Sequence, residues 1–161
     1  MPEAKNQHQY RTSVHWSADD GPGTTNYRAY SRNHTVGVEG KAPIAASSDP
    51  AFRGDAERYN PEELFVASIS ACHMLWYLHL CSVNGIVVVD YRDEAVGTLE
   101  PSADGSGRFV TVTLHPAVGI RRGDSEKALE LHERAHELCF IARSVNVLIE
   151  VKPRELTVIG D

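Results

Sequence analysis

The 161-residue sequence predicts an α+β fold, and three observations carry that prediction. An apolar run with a well-specified helical start occupies residues 60–81, NPEELFVASISACHMLWYLHLC. A second helical pattern, SEKALELHERAHELCFIARS, occupies 125–144. Around them lie β-branched and aromatic segments divided by Gly, Asp and Pro. The order reads βββ-α-βββ-α-ββ, and strands grouped between helices mark α+β rather than alternating α/β. A chain of this length fits one domain, 1–161, and buries roughly 70% of its unfolded surface.

Each element has its own signal. QYRTSVHW (9–16) and NYRAYSRNHTVGV (26–38) read as strands, with DDGPG as the turn between them. Residues 40–59 mix Gly, Pro, Ser and Asp without periodicity and read as a long functional loop carrying Phe52 and Arg53. Asn60 is a good N-cap, Pro61 suits the first helical position, and Glu62 or Glu63 can close a capping box. Leu64, Ser68, Ala71, Cys72, Leu75 and His79 then share one side at helical spacing, and Asn84-Gly85 stops the helix. IVVVDYRDEAVGTLE (86–100) and GRFVTVTLHPAV (107–118) supply two or three strands. In the second helix Ala128, His132, Ala135, Cys139 and Ala142 share a face, and NVLIEVKP and ELTVI close the chain as strands.

Composition narrows the function. The net charge of −6 argues against nucleic acid or an anionic membrane as the main partner. No apolar run is expected to reach the length of about 20 residues that spans a bilayer, and MPEAKNQHQYRTSVHW lacks the apolar centre of a signal peptide. The expected location is the cytoplasm. Three cysteines, an odd number, do not make a disulfide scaffold.

Taken alone, Cys72 and Cys139 read as buried packing. Each nevertheless lies among small residues, which permit close helix approach, so the two can meet where the helices cross. A thiol attacks only as thiolate, and apolar burial opposes that form. A cation must favour it; Arg32 and Arg53 are the candidates, with Glu62 or Glu63 to orient the guanidinium.

NPEEL followed by an apolar helix with Ala-Cys ten residues after its first Glu, and a second helix ending in AHELCFIARS, resembles the OsmC/Ohr family of thiol-dependent hydroperoxide reductases. With the strand order, the resemblance covers nearly the whole chain. It implies antiparallel sheets wrapped around two long central helices in an intertwined homodimer. It also implies Cys72 as the peroxidatic thiol, Cys139 as the resolving thiol, and Glu62 as the partner of the active-site arginine. Arg32 in YSRNHTV matches one branch of the family and Arg53 in AFRGD the other, with Arg32 slightly preferred. Phe140 follows Cys139 where the family usually has Pro. CHMLWYLHL and GTTNYRAYSRNH look like marks of a distinct subfamily.

The implied reaction is reduction of an organic hydroperoxide through a Cys72 sulfenic acid and a Cys72–Cys139 disulfide. An external dithiol, of lipoyl type or carried on a lipoylated protein, is implied to recycle it, and no bound cofactor or metal is expected. Phe52, Trp76, Phe140 and His73 are the expected contacts for the organic group, and Cys81 reads as structural. The rival from another class is a zinc-binding or non-enzymatic protein. His132, His136 and Cys139 stand at i, i+4 and i+7, and Cys72 with His73 can complete the set.

Ten residues of straight helix measure about 15 Å, so Glu62 cannot reach the Cys72 thiol of its own helix. Glu62 is therefore expected to complete the site of the other subunit in a two-fold dimer. Dilution to monomer, followed by sedimentation alongside an activity assay, should abolish turnover; a fully active monomer would refute the shared site.

Overall fold

The computed structural model describes residues 6–160. The chain divides into two compact units, Met1–Glu63 and Leu64–Asp161. In the first, strands β1 (Ser13–His15), β2 (His34–Gly37) and β3 (Ile44–Ala46) form an antiparallel sheet in the order β1-β2-β3. Only the end of the expected 26–38 strand forms. Residues 26–33 turn instead, because Asn26 Oδ1 accepts the Arg28 N–H at 2.9 Å and the Arg32 side chain binds the Tyr27 and Tyr30 carbonyls that a ladder would use.

The expected loop 40–59 contains β3 and a 3₁₀ turn, Pro50–Phe52, capped by Asp49, whose Oδ1 accepts the Ala51 N–H at 2.7 Å. Its two ends are tied by Ser47 N–H to Tyr59 O at 2.9 Å and Tyr59 N–H to Ala45 O at 3.2 Å. Gly54 is needed there, since a Cβ would lie 1.5 Å from the Ser48 carbonyl oxygen.

Helix α1 (Pro61–Val83) starts as its sequence indicates. Asn60 Oδ1 accepts the Glu63 N–H at 2.9 Å and Glu63 Oε2 accepts the Asn60 N–H at 3.1 Å, a closed capping box. By length and composition α1 could cross a membrane, which corrects the expectation that no apolar run was long enough. In this fold one stripe, Ile69, His73, Tyr77 and Cys81, is buried in the second unit. That stripe also corrects the expected face: Ala71, Leu75 and His79 point outward and Cys72 is half-buried. Apolar residues surround the helix on all sides, so periodicity did not select the buried one.

The second unit holds β4 (Val87–Asp93), β5 (Val96–Pro101), β6 (Gly107–Leu114), β7 (Pro116–Arg122), α2 (Ser125–Leu138), β8 (Leu148–Val151) and β9 (Leu156–Val158). Four strands, rather than two or three, separate the helices. They form two sheets, β4-β7-β9 and β5-β6-β8. The β4/β7 and β5/β6 pairs are antiparallel as expected, whereas β6/β8 and β7/β9 are parallel. The α2 crossover after β7 returns the chain in the direction that parallel pairing requires.

Three ribbons, β4–β5, β6–β7 and β8–β9, each change sheet at a corner. Asp93 pins two of these corners by accepting the His115 N–H at 2.6 Å, and its other oxygen accepts the Ser70 hydroxyl of α1 at 2.6 Å. One core gathers Tyr77, Cys81, Ile86, Val118, Ile120, Ala128, Leu131 and Ala135; a second gathers Ile69, Val112 and Leu114.

Replacing Asn60 with Ala removes one half of the capping box and should lower stability by about 1 kcal/mol, with Asn60→Ser recovering most of it. Denaturant midpoints of the three proteins measure this directly.

Candidate functional site

In the second unit α1 and α2 meet along a line of named contacts. Tyr77 donates its hydroxyl to the Ala128 carbonyl at 2.8 Å and lays its ring on the His132 imidazole, with centroids 3.9 Å apart and planes 7° apart. One turn earlier on α1, His73 Nε2 meets His132 Nδ1 at 3.1 Å. One residue before His73 stands Cys72, and nearly two turns beyond His132 α2 ends.

That end decides the second thiol. The expected helix ran to residue 144, but α2 stops at Leu138 and Cys139 is extended at φ −62°, ψ 116°. Its sulfur accepts the Ala142 N–H at 3.4 Å, as a serine would when capping a new turn. Ala142–Ser144 follows as a 3₁₀ turn, with the Ser144 hydroxyl bonded to Phe140 O at 2.7 Å. Cys139 is thereby buried (1% exposed) against half-buried Cys72. Burial first, and the hydrogen bond to Cys72 second, push the Cys139 thiol up to about 11. At neutral pH Cys139 is a protonated thiol. All three cysteines are free, and Cys81 is wholly buried beside Tyr77.

Trp76, one turn beyond Cys72, packs edge-on against two rings. Phe140 lies 5.5 Å away at 89° and His79 lies 5.9 Å away at 82°. Leu75, Trp76 and His79 line a cavity of about 270 Å³. His73, expected among the substrate contacts, turns into the core instead, with 1% of its surface exposed.

In the first unit Arg32 is held by neutral groups. Its Nη1 donates to Tyr30 O at 2.5 Å and its Nη2 to Tyr27 O at 2.6 Å, while its Cζ sits 3.7 Å and 4.8 Å from the two ring centroids. It borders a cavity of about 350 Å³ shared with Trp16, Tyr30, His34 and Ser47. Arg53 closes the 3₁₀ turn in left-handed backbone, φ 65°, and its guanidinium is unpartnered among the described residues. Glu63 closes the capping box, which leaves the half-buried Glu62 carboxylate without hydrogen bond or ion pair among the described residues. Phe52 is exposed.

The zinc reading is not favoured. His132 faces His73 in the core, and among the described residues no three His, Cys, Asp or Glu side chains converge on a metal position. The interactions that align the two helices, Tyr77, the His73–His132 bond and the Ser70–Asp93 bond, were not foreseen. Their only trace in the sequence is the four-residue spacing of Ile69, His73, Tyr77 and Cys81.

The family model described as OsmC-like protein matches residues 54–153. An OsmC-like protein of unknown function from Vibrio cholerae is 31% identical, with a TM-score of 0.83 over 92% of this chain and 100% of that one. The organic hydroperoxide resistance protein OhrB of Bacillus subtilis is 32% identical over 93 residues, 58% of this chain. That match spans 66% of the relative's own length. The crystal structure of OhrB superposes with a TM-score of 0.61 at 24% identity, covering 92% of this chain and 98% of that one.

Burial lowers both imidazoles of the helix pair, His73 to about 4 and His132 to about 3. Their unfolded pKa is about 6.5, so below that pH the unfolded chain binds protons that the folded chain refuses. Stability is unaffected by this pair above about pH 6.5. It should fall by on the order of 1–3 kcal/mol per pH unit between about pH 6 and 4. NMR should find both imidazoles neutral at pH 5, with the denaturant midpoint already lowered; charged imidazoles at that pH would contradict the buried pair.

Proposed function

Because this chain belongs to the OsmC-like family, we propose that it reduces organic hydroperoxides to alcohols, with Cys72 as the attacking thiol and Cys139 as the resolving one. The observation that carries the reading is the unequal thiol pair. Cys72 is half-buried, while Cys139, hydrogen-bonded to it, is fully buried and protonated. A redox pair needs this division between a thiol that meets the oxidant and one that waits. The name of the Bacillus subtilis relative, organic hydroperoxide resistance protein, supports the substrate class.

The Cys72 thiolate attacks the distal oxygen of ROOH. The O–O bond breaks, its electron pair leaves with RO⁻, and a proton completes ROH, so that Cys72 becomes a sulfenic acid. The Cys139 sulfur then attacks the Cys72 sulfur. An S–S bond forms, and hydroxide departs as water with the Cys139 proton. An external dithiol of lipoyl type, free or on a lipoylated protein, reduces the disulfide by two successive exchanges and is itself oxidised. No bound cofactor takes part.

The cation that favours the Cys72 thiolate is Arg32 or Arg53, with Glu62 as its orienting carboxylate in a homodimer. Two features support these roles. Glu62 is not consumed by the helix cap, and Arg53 has no competing partner among the described residues. Trp76 and Phe140, with Phe52, supply apolar surface for the organic group. The net charge of −6 suits a cytoplasmic protein with a small uncharged substrate.

Peroxide consumption with dihydrolipoamide tests the scheme. Cys72→Ser should lose activity by about 100-fold or more. One equivalent of organic hydroperoxide should remove two of the three titratable thiols from the wild type. Equal rates for wild type and Cys72→Ser would end the proposal.

A further inference from the structure

The aromatic group beside the two thiols deepens this reading, and the inference rests on it. Trp76 stands one turn from Cys72 on α1, and the indole is fixed by two perpendicular rings, Phe140 at 89° and His79 at 82°. Phe140 is the residue after Cys139, whose thiol bonds to Cys72. One wall of the group therefore comes from α1 and the other from the turn just after α2, and each wall is joined through its own backbone to one of the two sulfurs. Beside it, Leu75, Trp76 and His79 line a shallow, open depression of about 270 Å³.

The backbone turn that carries Phe140 is pinned at both ends. A buried serine-like cap, Cys139 Sγ to Ala142 N–H, and the Ser144–Phe140 bond hold the turn that carries Phe140. A flexible apolar patch of Leu and Met would accept any alkyl body of suitable size. Aromatic walls at right angles select instead, because a planar ring offers both a negative face and a positive edge to them. Phe140 nonetheless exposes 67% of its surface and Leu75 exposes 62%, so neither is used up by the core of its own unit.

We propose that Trp76 and Phe140 determine specificity, and that the preferred substrate is an aryl-bearing tertiary or secondary hydroperoxide rather than a saturated alkyl one. The ring of the substrate packs against the Trp76–Phe140 corner, with Leu75 and His79 closing the side. Its hydroperoxide group then extends one helical turn back, toward Cys72. The chemistry at sulfur is the same for both kinds of substrate, and only the binding of the organic body differs.

The discriminating pair is cumene hydroperoxide and its saturated analogue, 2-cyclohexylpropan-2-yl hydroperoxide, which have equal skeletons and differ only in aromaticity. The wild type should show kcat/KM about 5-fold or more higher for the aryl compound, and Phe140→Ala and Trp76→Leu should each reduce that ratio about 2- to 10-fold. In a Trp16→Phe background, which leaves Trp76 as the single tryptophan, fluorescence titration with the two product alcohols should show the same order of affinity. A ratio near one for both turnover and binding would overturn the aryl site while leaving hydroperoxide reduction intact. Preferential binding of the aryl alcohol without turnover of either peroxide would sustain the aryl site and remove the proposed reaction.

Discussion

The contact between His73 and His132 is the constraint on which the candidate site depends. It is a single 3.1 Å bond between two buried imidazoles, backed by Tyr77 lying flat on His132 and bonding to Ala128 O. Together these contacts fix the translation and rotation of α1 against α2. Cys72 is the next residue to His73, so its sulfur is placed by the bond its neighbour makes. On the other helix, the length from His132 to the end of α2 determines where Cys139 leaves the helix. Loosening the imidazole pair would shift both thiols, although neither belongs to it.

The electrostatics of the second unit follow from the same packing. Burial keeps both imidazoles neutral, so neither brings a positive charge into the core. Burial also holds Cys139 as a thiol, and the single N–H that its sulfur accepts from Ala142 does not offset this. A core built this way holds Cys139 as a protonated thiol.

How much of this was legible in the sequence depended on how local the determining interaction was. The start of α1 was readable because Asn60, Pro61 and Glu63 act on one another within four residues. The glutamate that closes the box is Glu63, the one that stands three residues after the cap, and not Glu62. The buried face of α1 was misjudged because leucines, alanines and aromatics surround the helix, and only contact with Ala128 and His132 chooses between them. The end of α2 was placed too late because a cysteine side chain, a weak acceptor with little capping preference, there outcompetes continuation of the helix. Residues 26–33 looked like a strand by composition, yet an arginine reaching back to two carbonyls turned them aside. The meeting of Cys72 and Cys139 was suggested by small neighbours and by family resemblance; no spacing rule links positions so far apart.

The imidazole pair has one more property. Only one proton sits in the bridge between His73 Nε2 and His132 Nδ1, and each outer nitrogen, His73 Nδ1 and His132 Nε2, is buried without a hydrogen-bond partner. With both rings neutral, either tautomeric arrangement satisfies the bridge and leaves one bare donor at one end and one bare acceptor at the other. The two arrangements differ in the direction of their dipole and in nothing that a count of hydrogen bonds detects. Whichever ring donates, the same single bond ties together the helices that carry the two thiols, and one unpartnered imidazole nitrogen is buried on each side of it.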